Sequence, residues 1–116
     1  MWPRPGEIYW ASADESEPHP VVVVSREKLN RGHYVTGVEF TSKHLDRRWN
    51  LPNCVPFRAG QFGLTEDCVA RAETIGDVFK SDLDLANGPI GTLDDQAMRD
   101  LVRAIGYVIS SDCEPV

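Results

Sequence analysis

Four consecutive valines at residues 21–24, opened by His19-Pro20 and closed by Ser25, restrict this chain more than any other stretch. β-branched side chains lose rotamer freedom in a helix and pack well on a pleated surface. A strand with no polar alternation is one covered on both faces. Residues 20–25 are therefore expected to form a buried central strand, with apolar layers on either side of it. At 116 residues the chain has material for one core, so residues 1–116 are read as a single domain, ordered from about 4 to about 110.

The neighbouring segments supply partners for that strand. Residues 7–11 (Glu-Ile-Tyr-Trp-Ala) read as a first strand and 34–41 (Tyr-Val-Thr-Gly-Val-Glu-Phe-Thr) as a third. In the third, Val38 and Phe40 share one face while Glu39 and Thr41 share the other. Residues 26–33 are polar, with Asn30 and Gly32, and read as a connection or a single helical turn. Residues 51–57 carry Pro52 and Pro56, which confine them to an edge or a bulged strand. Residues 68–75 form the last long strand.

A helix follows the break at Gly88-Pro89-Ile90-Gly91, with Thr92 as N-cap and Asp95 in the first turn, where a carboxylate suits the macrodipole. Met98, Leu101, Val102, Ile105, Val108 and Ile109 form its apolar stripe, expected to pack on the sheet. Several strands closed by one helix indicate a mainly β, α+β architecture.

The net charge of −6 is uneven. Residues 26–48 carry a net +3 from Arg26, Lys28, Arg31, Lys43, Arg47 and Arg48 against three acids, with His33 and His44 among them; the flanking segments are acidic. A local basic surface can draw phosphate over about a Debye length, ~8 Å at physiological salt. From charge alone, solvated hairpin ends are the simpler reading. Three cysteines (Cys54, Cys68, Cys113) have no metal-ligand spacing and read as reduced thiols, so no metal or cofactor is expected. No membrane span and no secretory signal is read from the sequence, which makes the cytoplasm the expected location.

Four stretches in order carry a resemblance to the PemK/MazF family of toxins: Pro5-Gly6-Glu7-Ile8-Tyr9-Trp10, residues 19–25, Glu39-Phe40-Thr41-Ser42, and Val69-Ala70-Arg71-Ala72-Glu73. Ile90-Gly91-Thr92-Leu93, entering the helix, fits the family's closing pattern. The resemblance implies a small SH3-like, CcdB/PemK-type antiparallel barrel with a C-terminal amphipathic helix, and a homodimer. It implies the toxin of a type II toxin–antitoxin pair, an endoribonuclease that cuts single-stranded RNA without metal and is neutralised by a cognate antitoxin. A non-catalytic or gyrase-directed binding module on the same barrel is the second expectation. Two departures stand out: His19 occupies the place of the family's arginine before the proline, and the acidic loop at 12–18 lacks the family's Gly-x-Glu-Gln-x-Gly pattern.

Metal-free cleavage needs a base for the ribose 2′-OH, an acid for the departing 5′-oxygen, and donors for the charge on phosphorus. Arg71 and Glu73, two apart on a strand, share a face with Cα atoms roughly 6.5–7 Å apart. Read without the resemblance they are a same-face ion pair; the resemblance implies catalytic roles for both. Arginine holds its proton too tightly to be an acid, so Arg71 is expected to clamp phosphate. Histidine is the side-chain type suited to proton transfer near neutral pH, so His19 is the expected acid, against its plain reading as a loop residue. The resemblance implies that Thr41, at the place of a groove threonine in the family, donates its hydroxyl to phosphate with Ser42 beside it, against a reading as turn chemistry. Lys43, Arg47 and Arg48 are expected to attract RNA and Trp49 to stack on a base, with Trp10 in the core and His33 and His44 solvated.

Overall fold

The computed structural model describes residues 2–12 and 17–109. Most of the acidic loop expected at 12–18, and Cys113, therefore lie outside the described residues. Six strands, β1 (Glu7–Ala11), β2 (His19–Val23), β3 (Tyr34–Thr41), β4 (Cys54–Phe57), β5 (Cys68–Phe79) and β6 (Gly91–Thr92), form one sheet in the order β4-β5-β3-β2-β1-β6. Every pairing is antiparallel. A short helix α1 (Leu45–Arg48) follows β3, and α2 (Asp95–Ile109) ends the described chain. This curled antiparallel sheet with its terminal helix is the expected mainly β class.

Alternation along the strands divides the apolar side chains between two faces. Ile8, Val22, Val38, Phe40, Val55, Phe57, Ala70 and Ala72 form an inner layer with Ala97, Leu101 and Ala104 of α2. Tyr9, Ala11, Val21, Val23 and Val35 form an outer cluster closed by Leu83, from the segment after β5. The valine run feeds both: Val22 faces inward while Val21 and Val23 face outward, and all three are buried. Between β2 and β3, the fully buried Asn30 donates from Nδ2 to the carbonyls of Pro3 and Ser25, both at 2.9 Å, and ties the 26–33 connection to the chain's start.

The sheet curls until its two ends meet. The turn at Gln61–Gly63, following β4 on one edge, packs against β6 on the other. The contact is backbone on backbone: a Cβ on Gly63 would collide with the Ile90 carbonyl, and one on Gly91 with the Phe62 carbonyl. Gly63 also sits at φ +80°, where L side chains are strained.

Several expectations are corrected. Thr92 is not the N-cap: it pairs with Glu7 in β6, and Asp94 caps instead, its Oδ1 accepting the Ala97 N–H at 2.8 Å. Asp95 does lie in the first turn of α2. The buried side of α2 runs through Ala97, Leu101 and Ala104, with Met98, Ile105 and Val108 partly covered, whereas Val102 and Ile109 are exposed. Small alanines at the contact let the helix lie close to the sheet, which rotates the larger Val102 and Ile109 outward. Strand β5 runs four residues beyond 75, because its second half pairs with the start of β3 after a register shift between Gly37 and Glu39.

Candidate functional site

The site is assembled where β1 and β3 end and β2 and β5 begin, which antiparallel pairing brings to the same end of the sheet. A groove of about 680 Å³ opens there. Its lining joins side chains of the inner layer, among them Phe40, Leu64 and Cys68, to the outer-face residues His19, Glu39, Thr41 and Arg71. Trp10 lines the groove and is only partly buried, which corrects its expected place in the core; strand alternation aims it at the open end of the inner face.

Three of these outer-face groups, with Glu73 and Asn53 beside them, form a line across the sheet. His19, the first residue of β2, sits 3.1 Å from Glu39 Oε1 through Nε2. Its Nδ1 lies 3.3 Å from the Glu17 carbonyl. Glu39 lies opposite Arg71 in the β3–β5 register. Arg71 donates from Nε to Glu73 Oε2 at 3.2 Å, and Asn53, just before β4, donates from Nδ2 to Glu73 Oε1 at 2.8 Å. The order is thus imidazole, carboxylate, guanidinium, carboxylate, amide. The Arg71 and Glu73 side chains retain 30% and 38% of their exposure, so the pair is open to solvent.

The register shift makes this line possible. Glu39 pairs with Arg71 but Gly37 pairs with Gly76, so residues 72–75 of β5 stand opposite Val38 alone. Such an irregularity bends its strand and re-aims side chains. Thr74 satisfies the freed backbone: its Oγ1 accepts the Glu39 N–H at 2.9 Å and donates to the Arg71 carbonyl at 2.7 Å. One hydroxyl therefore pins the backbones carrying the two central charges.

Electrostatics differ among the acidic groups. Partial burial disfavours the Glu73 charge, but hydrogen bonds from Asn53, its own backbone N–H and Arg71, with the Arg71 charge, outweigh it and hold the carboxyl below its ordinary range. Glu73 is a carboxylate at neutral pH. Burial, aided by the nearby Asp67 and Glu66 charges, pushes the Cys68 thiol up to about 12. Burial, with the Glu73 charge, also raises Cys54, so neither is a thiolate nucleophile at neutral pH.

The remaining sequence-predicted residues separate into two groups. Ser42, Lys43 and Arg48 line the groove with Thr41. Thr41 Oγ1 accepts the Lys43 N–H at 3.2 Å, and Arg48 donates from Nη1 to the Lys43 carbonyl at 3.0 Å, bracing the loop. His44 also lines the groove, in a left-handed backbone conformation at φ +56°. Glu73, Arg47 and Trp49 lie outside the lining. Arg47 is exposed, and Trp49 is partly covered by the Arg58 guanidinium, 4.3 Å from its ring centroid. Sequence reasoning missed Glu39 and Asn53 as members of the line. Alternation had placed Glu39 on the Thr41 face, but its contact with His19 depends on strand register. Among the described residues, no three His, Cys, Asp or Glu side chains cluster as metal ligands, and no helix is long and apolar enough to cross a membrane.

Known structures share this fold. A mycobacterial endoribonuclease solved with its cognate antitoxin is 21% identical, with a TM-score of 0.76 over 97% of this chain and 99% of that one. The Mycobacterium tuberculosis toxin MazF-mt6 is 24% identical, with a TM-score of 0.73 over 90% and 96%. A MazE–MazF crystal structure from Deinococcus radiodurans is 14% identical, with a TM-score of 0.73 over 94% and 96%. No curated protein sequence matches the chain. The PemK-like, MazF-like toxins of type II toxin–antitoxin systems match as a family over residues 4–109, nearly the whole of the described chain, and this protein belongs to that family.

Proposed function

We propose that this toxin is an endoribonuclease that cuts single-stranded RNA by metal-independent transesterification, leaving a 2′,3′-cyclic phosphate and a 5′-hydroxyl. The observation that carries the reading is the line of polar groups that runs from His19 and Glu39 through Arg71 in the groove to Glu73 and Asn53 outside its lining. Arg71 engages Glu73 only through Nε, which leaves its terminal nitrogens to grip a phosphate. Glu73 lies on the β4 side of Arg71 and His19 on the β3 side, so a phosphate on Arg71 has a carboxylate base to one side and an imidazole acid to the other. Thr41 donates its hydroxyl to the phosphate; Ser42, Lys43 and Arg48 draw in the flanking strand. Arg47, outside the groove, adds only long-range attraction, and Trp49, under Arg58, is available to stack a base only if that cation moves.

The antitoxin partner follows from the family, and the mycobacterial and Deinococcus structures contain such complexes. Homodimerisation and action in the cytoplasm belong to the same reading; the free thiols of Cys54 and Cys68 suit a reducing compartment.

The test is incubation of the purified chain with varied long single-stranded RNAs in EDTA. Fragments ending in cyclic phosphate are expected, and Arg71→Ala is expected to lose about 10²–10³-fold, the usual worth of one preorganised donor to a charged transition state. His19→Ala is expected to slow cleavage by about 10²–10⁴-fold. Intact RNA throughout would end the nuclease reading.

A further inference from the structure

Both ring nitrogens of His19 face acceptors: Nε2 the Glu39 carboxylate at 3.1 Å, Nδ1 the Glu17 carbonyl at 3.3 Å. Carbonyl and carboxylate oxygens accept and do not donate, so both contacts are hydrogen bonds at once only when both nitrogens carry protons. The two contacts are unequal. The Glu17 contact is longer, exposed, and spans only two residues of chain. The Glu39 contact bridges two strands, is charge-assisted, and ends on a residue whose backbone Thr74 pins opposite Arg71.

We propose that Glu39 is a positioning residue for proton transfer: it keeps Nε2–H of His19, while Nδ1–H exchanges the weaker Glu17 carbonyl contact for the leaving 5′-oxygen. This assignment rests on the nuclease reading and deepens it. As the 2′-oxygen bonds to phosphorus, its proton passes to Glu73. As the P–O5′ bond breaks, the Nδ1 proton passes to the 5′-oxygen. His19 is left neutral with Nε2–H still on Glu39, and solvent later restores one proton to His19 and removes one from Glu73. Glu39 cannot itself be the base opposite His19, because groups 3.1 Å apart cannot stand on opposite sides of one phosphate. Its register with Arg71 gives it a second consequence: it fixes the acid relative to the phosphate clamp.

The experiment compares two versions of one cleaved RNA, natural and with sulfur replacing the bridging 5′-oxygen at the scissile linkage. A departing thiolate is a far better leaving group than an alkoxide and needs no acid. Glu39→Gln, close in shape and on a partly exposed side chain, is expected to lower kcat on the natural RNA by ~10-fold or more, within the ~10²–10⁴ that a general acid supplies. KM is expected to hold, and so is the rate on the sulfur-containing RNA. The double variant His19→Ala/Glu39→Gln is expected to lose no more than His19→Ala alone. Equal slowing on both RNAs marks a merely structural role and overturns the assignment. So does an unchanged rate on the natural RNA, or indifference to His19→Ala, while the nuclease reading survives all three. A wild-type chain that cuts neither RNA removes the nuclease reading and the positioning role together.

Discussion

The two faces of this sheet are built from the same strands yet are finished differently. On β5 the contrast runs residue by residue: Ala70 and Ala72 turn inward and are fully buried, while Arg71 and Glu73 turn outward and stay partly exposed. The inner face is sealed by α2 through Ala97, Leu101 and Ala104. Among the described residues, the outer face is covered around Tyr9, Ala11, Val21, Val23 and Val35, by Leu83. Where that cover stops, the charged line begins. The comparison teaches that the charged line occupies the part of the outer face that the apolar cluster leaves open, so a polar site costs the core no buried charge.

The comparison can be broken at either face. Leu101→Ala deletes a fully buried side chain at the centre of the inner seal and is expected to cost about 2–5 kcal/mol. Urea unfolding measures it, and a loss well under 1 kcal/mol would mean that α2 does not close that face. Thr74→Val removes the hydroxyl joining the Glu39 N–H to the Arg71 carbonyl, and is expected to cost about 1–3 kcal/mol by orphaning those groups. Cleavage should fall with it, since the spacing of the charged line loosens; full activity in a destabilised variant would separate the bulge from the site.

The outer cluster makes a pH prediction. Burial, with the hydrogen bond to Glu7 and its charge, raises the Tyr9 phenol to about 12. The unfolded phenol ionises near 10, so this contribution is fully present below about pH 10 and is lost as pH climbs towards 12. Tyr9→Phe should remove that alkaline component from a pH series of unfolding curves. The smallest effect belongs to Val102→Ser on the exposed side of α2, expected to change unfolding free energy by no more than about 0.5 kcal/mol. A larger loss would show that something covers this position in solution.

Much of the scaffold is legible from local pattern. Alternation and β-branching mark β1 and β3 at their observed ends, and the valine run announces a strand with two covered faces. The helix is legible from its period but its rotation is not, because the alanines that touch the sheet are weak hydrophobic signals beside Val102 and Ile109. Thr92 and Asp94 are both acceptable caps; pairing of Thr92 with Glu7 decides between them, and that contact is long-range. The site divides in the same way. Arg71 and Glu73 are neighbours by strand geometry alone, whereas the Glu39–His19 contact needs the order and register of β2, β3 and β5. Asn53 reaches Glu73 from a segment that reads only as extended and proline-bounded.

The glycine seam has a mechanical consequence. Leu64, Thr65 and Glu66 leave directly from it into the groove wall. The aperture of the cleft is therefore gauged by a carbonyl-to-glycine abutment between opposite margins of the sheet. Any side chain at position 63 or 91 acts as a wedge there, and parting of those margins and widening of the cleft become one motion.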